Sequence, residues 1–288
     1  MALKLLRSVD EARKLADASY RQGNRLALVP TMGYLHPGHL ALVEEGKRLA
    51  DRVVVTLFVN PTQFGPKDDF AKYPRDLAGD LEKCEQAGVD AVFAPPVSEM
   101  YPDGFQTSVE VAELSLGLCG EKRPGHFRGV ATVVAKLLCL FRPQVAVFGE
   151  KDYQQLQVIR RLNLDLNLGS QIVSVPTVRD PDGLAMSSRN AYLNADERRR
   201  ASSIVAGLRR AQKLAREGVE DAGELVKSVR QELELAQLRE DYVAIVDAET
   251  LAPLTRLSPS KPARALVAAF VGTTRLIDNV PLDAMKLP

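Results

Sequence analysis

What most limits the folds open to this chain is an alternation. Through roughly the first 175 residues, short apolar runs rich in β-branched residues take turns with amphipathic stretches. The runs are Leu26-Ala27-Leu28-Val29, Arg52 to Val59, Ala91-Val92-Phe93-Ala94, Val145-Ala146-Val147-Phe148 and Ile172-Val173-Ser174-Val175. Arg52 to Val59 is almost continuously apolar, which suits a parallel strand covered on both faces. Between the runs, Ser8 followed by Glu11 forms a capping-box pattern that opens a helix to about Arg21. Gly38 to about Ala50, Asp76 to Ala87, Val130 to Phe141 and Asp152 to Leu168 read as further helices. Strand and helix in repeated alternation predict an α/β fold with a doubly wound parallel sheet.

After about residue 180 the pattern changes. Ala195 to about Glu217 and Ala222 to about Leu235 are charged amphipathic helices joined through Gly218. Strand-like segments at Tyr242 to Val246 and Ala265 to Val271 follow. Helices followed by strands predict a smaller C-terminal α+β domain, residues 178–288, beside a domain of residues 1–177. With no long linker between them, the two are expected to pack closely around a cleft.

Composition excludes several roles. The 38 Lys and Arg nearly cancel the 37 Asp and Glu, so the net charge of +1 argues against non-specific nucleic-acid binding. The first residues meet Asp10 and Glu11 before any long apolar region and do not read as a signal peptide. The longest strongly apolar stretch, Val130 to Phe141, is short for a membrane span and contains Lys136. The three cysteines, Cys84, Cys119 and Cys139, are odd in number and lack CxxC spacing, as expected of free thiols in a reducing compartment. The expectation is a cytoplasmic enzyme with no membrane and no nucleic-acid partner.

Four loops carry the chemistry. The first, Val29 to Leu40, follows a strand and opens a helix, with His36-Pro37-Gly38-His39 at its centre. In open α/β sheets, ligands bind beyond the carboxyl ends of strands, where helix N-termini offer N–H groups to anions. Gly33 allows a tight turn, Gly38 lets a nucleotide approach, and the two imidazoles can donate to phosphate oxygens. An HxxH metal site is the rival, but a nearby Cys and the usual Glu partner are missing. The second loop, Phe58 to Gly65, offers Asn60 and Gln63, neutral side chains suited to hydroxyls and a carboxylate. The polar stretch Pro66 to Asp69 after it reads as a mobile flap. The third, Phe148 to Gln155, places Lys151 for phosphate, Asp152 for ribose or a cation, and Gln155 for substrate hydroxyls. The fourth, Asp182 to Asn190, carries Ser187, Ser188 and Arg189, which can clamp the β- and γ-phosphates.

Taken together the loops resemble one family. Pro30 to His39, Phe58 to Phe64, Tyr73-Pro74-Arg75, Arg123 to Val130, Gly149 to Gln155, Met186 to Asn190 and Arg275 to Asn279 are similar to the motifs of the pantothenate synthetase (pantoate–β-alanine ligase) family, in the HxGH nucleotidyltransferase superfamily. The resemblance implies a Rossmann-type first domain, Mg²⁺ dependence with ATP as substrate, and a homodimer. It implies ATP and (R)-pantoate giving pantoyl-adenylate and pyrophosphate, then β-alanine giving pantothenate and AMP. It places ATP on Met32, Gly33, Tyr34, Leu35, His36, Pro37, Gly38 and His39, with Gly149, Glu150, Lys151, Asp152, Val178, Met186, Ser187, Ser188 and Arg189 completing the nucleotide site. His39, His36 and Lys151 are the implied catalytic residues, His39 standing where the family's proton donor is usually assigned. Gln63 and Gln155 would hold pantoate, Gln63 would also border β-alanine, and no protein metal site is implied. Two positions depart from the family pattern: Thr62 replaces a usual Met, and Cys119 replaces a usual Glu before Gly120.

Three other readings compete. An adenylyltransferase for a phosphorylated acceptor would hold that acceptor with cationic side chains, where this chain offers Asn60, Gln63 and Gln155. An RNA-binding synthetase-like module is disfavoured by the near-neutral charge, and an inactive ATP-binding regulator by the retained His and Lys groups.

Overall fold

Ser8 and Glu11 form the reciprocal cap their spacing predicts. The Ser8 hydroxyl accepts the Glu11 N–H at 3.2 Å, and the Glu11 carboxylate accepts the Ser8 N–H at 3.1 Å, opening α1 (Val9–Arg21). The structure is a computed structural model that describes residues 3–66 and 68–282. It divides into two units, Met1–Glu150 with Gln155–Pro176, and Lys151–Gln154 with Thr177–Pro288.

In the first unit β1 (Lys4–Leu6) precedes α1, and β2 (Leu26–Thr31) leads into α2 (Pro37–Leu49). There follow β3 (Arg52–Leu57), α3 (Leu77–Gln86), β4 (Ala91–Phe93) and two short helices, α4 (Val97–Met100) and α5 (Cys119–Lys122). Then come α6 (His126–Phe141), β5 (Val145–Gly149), α7 (Tyr153–Asp165), whose first two residues fall in the second unit, and β6 (Gln171–Val175). The strands form one parallel six-stranded sheet in the order β1-β4-β3-β2-β5-β6. Val29, Val54, Val55, Val92, Val145 and Val147 are all at 0% exposure, as strands covered on both faces require. Chain order runs one way from β2 to β3 and the other from β2 to β5. The switch point therefore lies between β2 and β5, and the carboxyl ends of these strands open the crevice where such sheets bind ligands.

The second unit packs α8 (Ala195–Arg216) and α9 (Ala222–Leu235) on an antiparallel sheet of β7 (Arg239–Asp247), β8 (Ala263–Val271) and β9 (Thr274–Leu282), ordered β7-β8-β9. Its core contains Ile204, Leu208, Leu225, Val229, Leu233, Ile245 and Val267. Each such side chain contributes about 1.5–3 kcal/mol when fully buried. The predicted fold class, a doubly wound parallel sheet followed by a smaller α+β unit, is the one observed.

Three elements differ from expectation. Helix α6 begins at His126 rather than Val130, because Gly125 enters the left-handed region (φ 80°) and starts the helix before its apolar face develops. Strand β1 has three residues, of which only Leu6 is buried, too few to show a period. Strand β9 carries Asp278, Asn279 and Pro281, residue types depleted from strands. Among the described residues no helix is long and apolar enough to cross a membrane. Cys84, Cys119 and Cys139 are all free thiols, and burial pushes the Cys84 thiol up to about 12, which keeps it in the unreactive protonated form.

Candidate active site

The first histidine loop is built from the end of β2. The Thr31 hydroxyl donates to the Thr56 carbonyl at 2.7 Å and accepts the Gly33 N–H at 3.1 Å. Gly33 (φ +85°) and Tyr34 (φ 53°) then turn the chain toward α2. At Gly33 the requirement is doubled, because a Cβ there would also stand 3.0 Å from the Asp80 carboxylate. The turn delivers His36 to the N-cap of α2 in extended conformation, φ −131°. His39 lies one turn on, its ring centroid 3.9 Å from that of His36. The His36 backbone N–H donates to His39 Nδ1 at 3.3 Å. A ring nitrogen that accepts a hydrogen bond carries no proton, so the proton of the neutral ring is on Nε2. His39 is thereby oriented as an Nε2–H donor.

The loop's amides have another use. Asp80, on α3 and 2% exposed, accepts the Tyr34 N–H with Oδ2 and the Leu35 N–H with Oδ1, both at 2.7 Å. Pro37 has no N–H, and the His39 N–H donates to the His36 carbonyl at 2.8 Å. The Tyr34, Leu35 and His39 amides of this loop are therefore engaged within the protein. Nothing in the sequence marks Asp80 for this part. It sits in the first turn of a helix, where an acid ordinarily serves the helix dipole, and 46 positions from Tyr34.

Gln63 occupies a second framework after β3, in a short 3-10 turn at Pro61–Gln63. Its Nε2 donates to Met32 Sδ at 3.0 Å, joining this turn to the histidine loop. Asn60 is 1% exposed and its amide is engaged within the protein. Asn60 Nδ2 donates to Gln63 Oε1 at 3.2 Å and to the Gly129 carbonyl at 3.1 Å, while Oδ1 accepts from the Tyr101 hydroxyl at 2.8 Å. It orients Gln63 from beneath. Thr62 is exposed, and its hydroxyl donates to Asn60 Oδ1 at 2.9 Å, so the departure at this position adds a bond to the same framework.

His126 and Arg123 hold the Gln63 backbone. The Gln63 carbonyl accepts from His126 Nδ1 at 2.8 Å and from Arg123 Nη2 at 3.3 Å. Arg123 Nη1 lies 3.2 Å from His126 Nε2, and a guanidinium can only donate, so a hydrogen bond between them requires the Nδ1–H tautomer of His126. Arg123 also binds Asp68 Oδ2 at 2.9 Å. Burial raises the Asp68 carboxyl, but the Gly65 N–H and Arg123 outweigh it and hold the group below its ordinary value. Of the stretch expected to be a mobile flap, Pro66 to Asp69, Lys67 lies outside the described residues and Asp68 is bonded to Arg123. Phe64 also packs edge-on to Phe70 and Tyr73, at 5.3 and 6.0 Å between centroids. The Arg123 partner of Asp68 is 55 positions away and has no local signature in the sequence.

Gly129 lets α6 come this close. A Cβ there would stand 2.4 Å from the Thr62 carbonyl oxygen and 2.6 Å from Gln63 N, so backbone must move. Gly129→Ala is expected to raise the KM for the acid substrate by about tenfold, as small misplacements of a positioning group do. Steady-state kinetics would check it, and an unchanged KM would show that the Gln63 turn can shift without consequence.

The remaining predicted residues divide between the units. In the first, Glu150 Oε1 accepts the Ser174 hydroxyl at 3.1 Å, Gly149 ends β5, and Gln155 is partly exposed in the first turn of α7. In the second, Lys151 Nζ lies 3.6 Å from Asp152 Oδ2. Val178 and Met186 pair across a hairpin, with the Met186 N–H on the Val178 carbonyl at 3.0 Å. Ser187 Oγ accepts the Arg189 N–H at 3.3 Å, and Ser188 is buried in the 3-10 turn that follows. Among the described residues there is no group of three or more His, Cys, Asp or Glu placed to hold a metal ion.

Comparison with known proteins gives these loops a common context. A sequence model of the pantoate-beta-alanine ligase family matches residues 4–281. A pantothenate synthetase of Myxococcus xanthus is 63% identical over 283 residues, covering 98% of this chain and 97% of the relative. The crystal structure of a pantothenate synthetase from Thermus thermophilus superposes with a TM-score of 0.90 at 46% identity, covering 96% of this chain and 98% of that one. A Francisella tularensis pantoate-beta-alanine ligase, solved with beta-gamma ATP and beta-alanine, superposes with a TM-score of 0.80 at 32% identity over 97% of each chain.

Proposed function

The chain belongs to the pantoate–β-alanine ligase family, and from that premise we propose how its own residues carry the family's reaction. The enzyme condenses (R)-pantoate with β-alanine to pantothenate, using ATP and releasing AMP and pyrophosphate through a pantoyl-adenylate. Placing a histidine loop after β2 and a neutral amide, Gln63, after β3 at one end of the parallel sheet is the observation that carries this assignment.

A pantoate carboxylate oxygen attacks the α-phosphorus, the bond to the bridging oxygen breaks, and pyrophosphate leaves with that electron pair. No protein nucleophile is needed. The protein must align the carboxylate and stabilise charge that grows on the phosphate oxygens. His39, fixed as an Nε2–H donor, and His36 beside it serve that charge. Gln63 and Gln155 hold pantoate, with Asn60, His126 and Arg123 setting the position of Gln63. Lys151, Asp152, Val178 and Met186 to Arg189 of the second unit are assigned to ATP by their motifs. In the second step the β-alanine amine attacks the acyl carbon of the adenylate, loses a proton and expels AMP. Gln63 is assigned to border that amine.

Mg²⁺ enters this proposal as the companion of ATP. The donor set fits such an ion, since magnesium usually takes substrate phosphates, waters and one or two carboxylates rather than a protein cage. Asp152 is the carboxylate we assign to it, and the ion would neutralise triphosphate charge. We also assign the enzyme to the cytoplasm and to a homodimer, on the pattern its motifs share with the family. A phosphorylated acceptor is disfavoured by a specific observation. Arg123, the cation bonded to the Gln63 carbonyl, is already paired with Asp68.

The test is direct. Pantoate-dependent release of pyrophosphate from ATP is expected with Mg²⁺ present, followed by AMP and pantothenate when β-alanine is added. A folded preparation that releases neither product would overturn the assignment.

A further inference from the structure

Resting on that reading of the nucleotide site, we infer that Asp278 and Asn279 are positioning residues for ATP. They brace the two nucleotide-binding segments of the second unit from opposite faces of β9. The Arg275 to Asn279 segment matches the family pattern, yet the reaction described above gives it no task. Both side chains are polar and buried, at 4% and 5% exposure. Burying such groups in a strand is unfavourable unless they are bonded, so their partners are informative.

Asn279 grips the segment of Lys151. Its Nδ2 donates to the Lys151 carbonyl at 2.9 Å, and its Oδ1 accepts from Arg264 Nη1 at 2.9 Å. Arg264 is 7% exposed and stacks 3.8 Å above the Tyr153 ring, whose hydroxyl donates to the Ala248 carbonyl at 2.8 Å. Register explains the reach. Arg264 opposes Pro281 across the β8–β9 ladder, so it shares a face with Asn279 and meets it diagonally.

Asp278, one residue earlier, faces the other way. It accepts both arms of Arg179, at 2.6 and 2.9 Å, and the Asn279 N–H at 2.7 Å. Arg179 in turn donates to the Gly183 carbonyl at 3.0 Å, across the hairpin that joins Val178 to Met186. That hairpin leads directly into Ser187, Ser188 and Arg189. Adjacent residues of one strand therefore set where Lys151 stands relative to the serine–arginine loop. A triphosphate held by both segments depends on that spacing.

Asn279→Asp separates this role from a merely structural one. The carboxylate keeps an acceptor for Arg264 but removes the donor to the Lys151 carbonyl and sets an oxygen against it. The expected variant melts within a few degrees of the parent. Its affinity for α,β-methylene-ATP, measured by calorimetry, falls at least tenfold, and pyrophosphate release slows to match. Conversion of supplied pantoyl-adenylate by β-alanine, which needs no triphosphate, stays within about twofold. Nucleotide affinity is read without turnover, so a parent protein inactive with pantoate but binding the analogue would fail the reaction assignment and still judge the brace. Should the carboxylate variant not fold, Asn279→Ala, which loses the donor and adds no charge, is expected to give the same split. Parental analogue affinity in a folded variant would overturn the brace, and so would equal loss in both half-reactions.

Discussion

Replacing His39 with alanine is expected to slow pantoate-dependent pyrophosphate release by on the order of 10²–10³, the range seen when a donor to developing charge is removed. The fold should survive the change. The ring is only partly buried, and the His36 N–H that loses its acceptor can turn to water. Single-turnover measurement of pyrophosphate separates this step from product release, and a thermal melt confirms that the loop change is local. His39→Gln, whose side-chain amide offers a donor, is expected to recover part of the rate. A rate within about twofold of the parent for the alanine variant would remove His39 from the chemistry and leave the loop a turn and nothing more.

The second large effect is on stability. Asp80→Ala leaves the N–H groups of Tyr34 and Leu35 without acceptors at a place where the carboxylate is 2% exposed. Hydrogen bonds to a charged group contribute about 1.5–3 kcal/mol each, so the loss should be about 3 kcal/mol or more. Lys83, at 3.9 Å, offsets little of this because its side chain is 39% exposed and already reaches water. Urea unfolding measures the change, and Asp80→Asn, with one acceptor oxygen retained, should fall between parent and alanine. A loss below about 1 kcal/mol would mean that the loop rearranges to satisfy its own amides. Nucleotide affinity should fall in parallel, since those two bonds set the path by which His36 and His39 reach the crevice.

The parts of this molecule legible in its sequence are those with a local signature. Continuous apolar runs such as Val53 to Val55 announced the buried parallel strands, and Ser8 with Glu11 announced a helix start to the residue. The histidine loop and the Lys151 segment stand out in the sequence because their residue types suit phosphate chemistry and each follows a strand, and their role with ATP is our proposal. What escaped was long-range or disguised. Asp80 reads as a helix-dipole acid until its partners at positions 34 and 35 are known. Asn60 reads as a substrate ligand, yet its amide lies beneath Gln63 and is bonded to Gly129 and Tyr101. The part His126 plays emerges only in the fold, because its two partners, Arg123 and the Gln63 carbonyl, converge through the packing of α6 against the Pro61–Gln63 turn. Strand β9 concealed itself by burying polar side chains where strands usually bury aliphatic ones.

The position of β9 along the chain also bears on when the enzyme becomes competent. Its contacts with Lys151 and Arg179 bridge 128 and 99 intervening steps of sequence. Closures of that span form late, because chain entropy must be surrendered before they are rewarded. On the ribosome, a nascent chain that has emerged through α9 already displays every residue assigned to ATP. It still lacks the strand that holds two of those segments in register. Affinity for nucleotide should therefore be acquired abruptly, with the final hairpin, rather than accumulating motif by motif during synthesis.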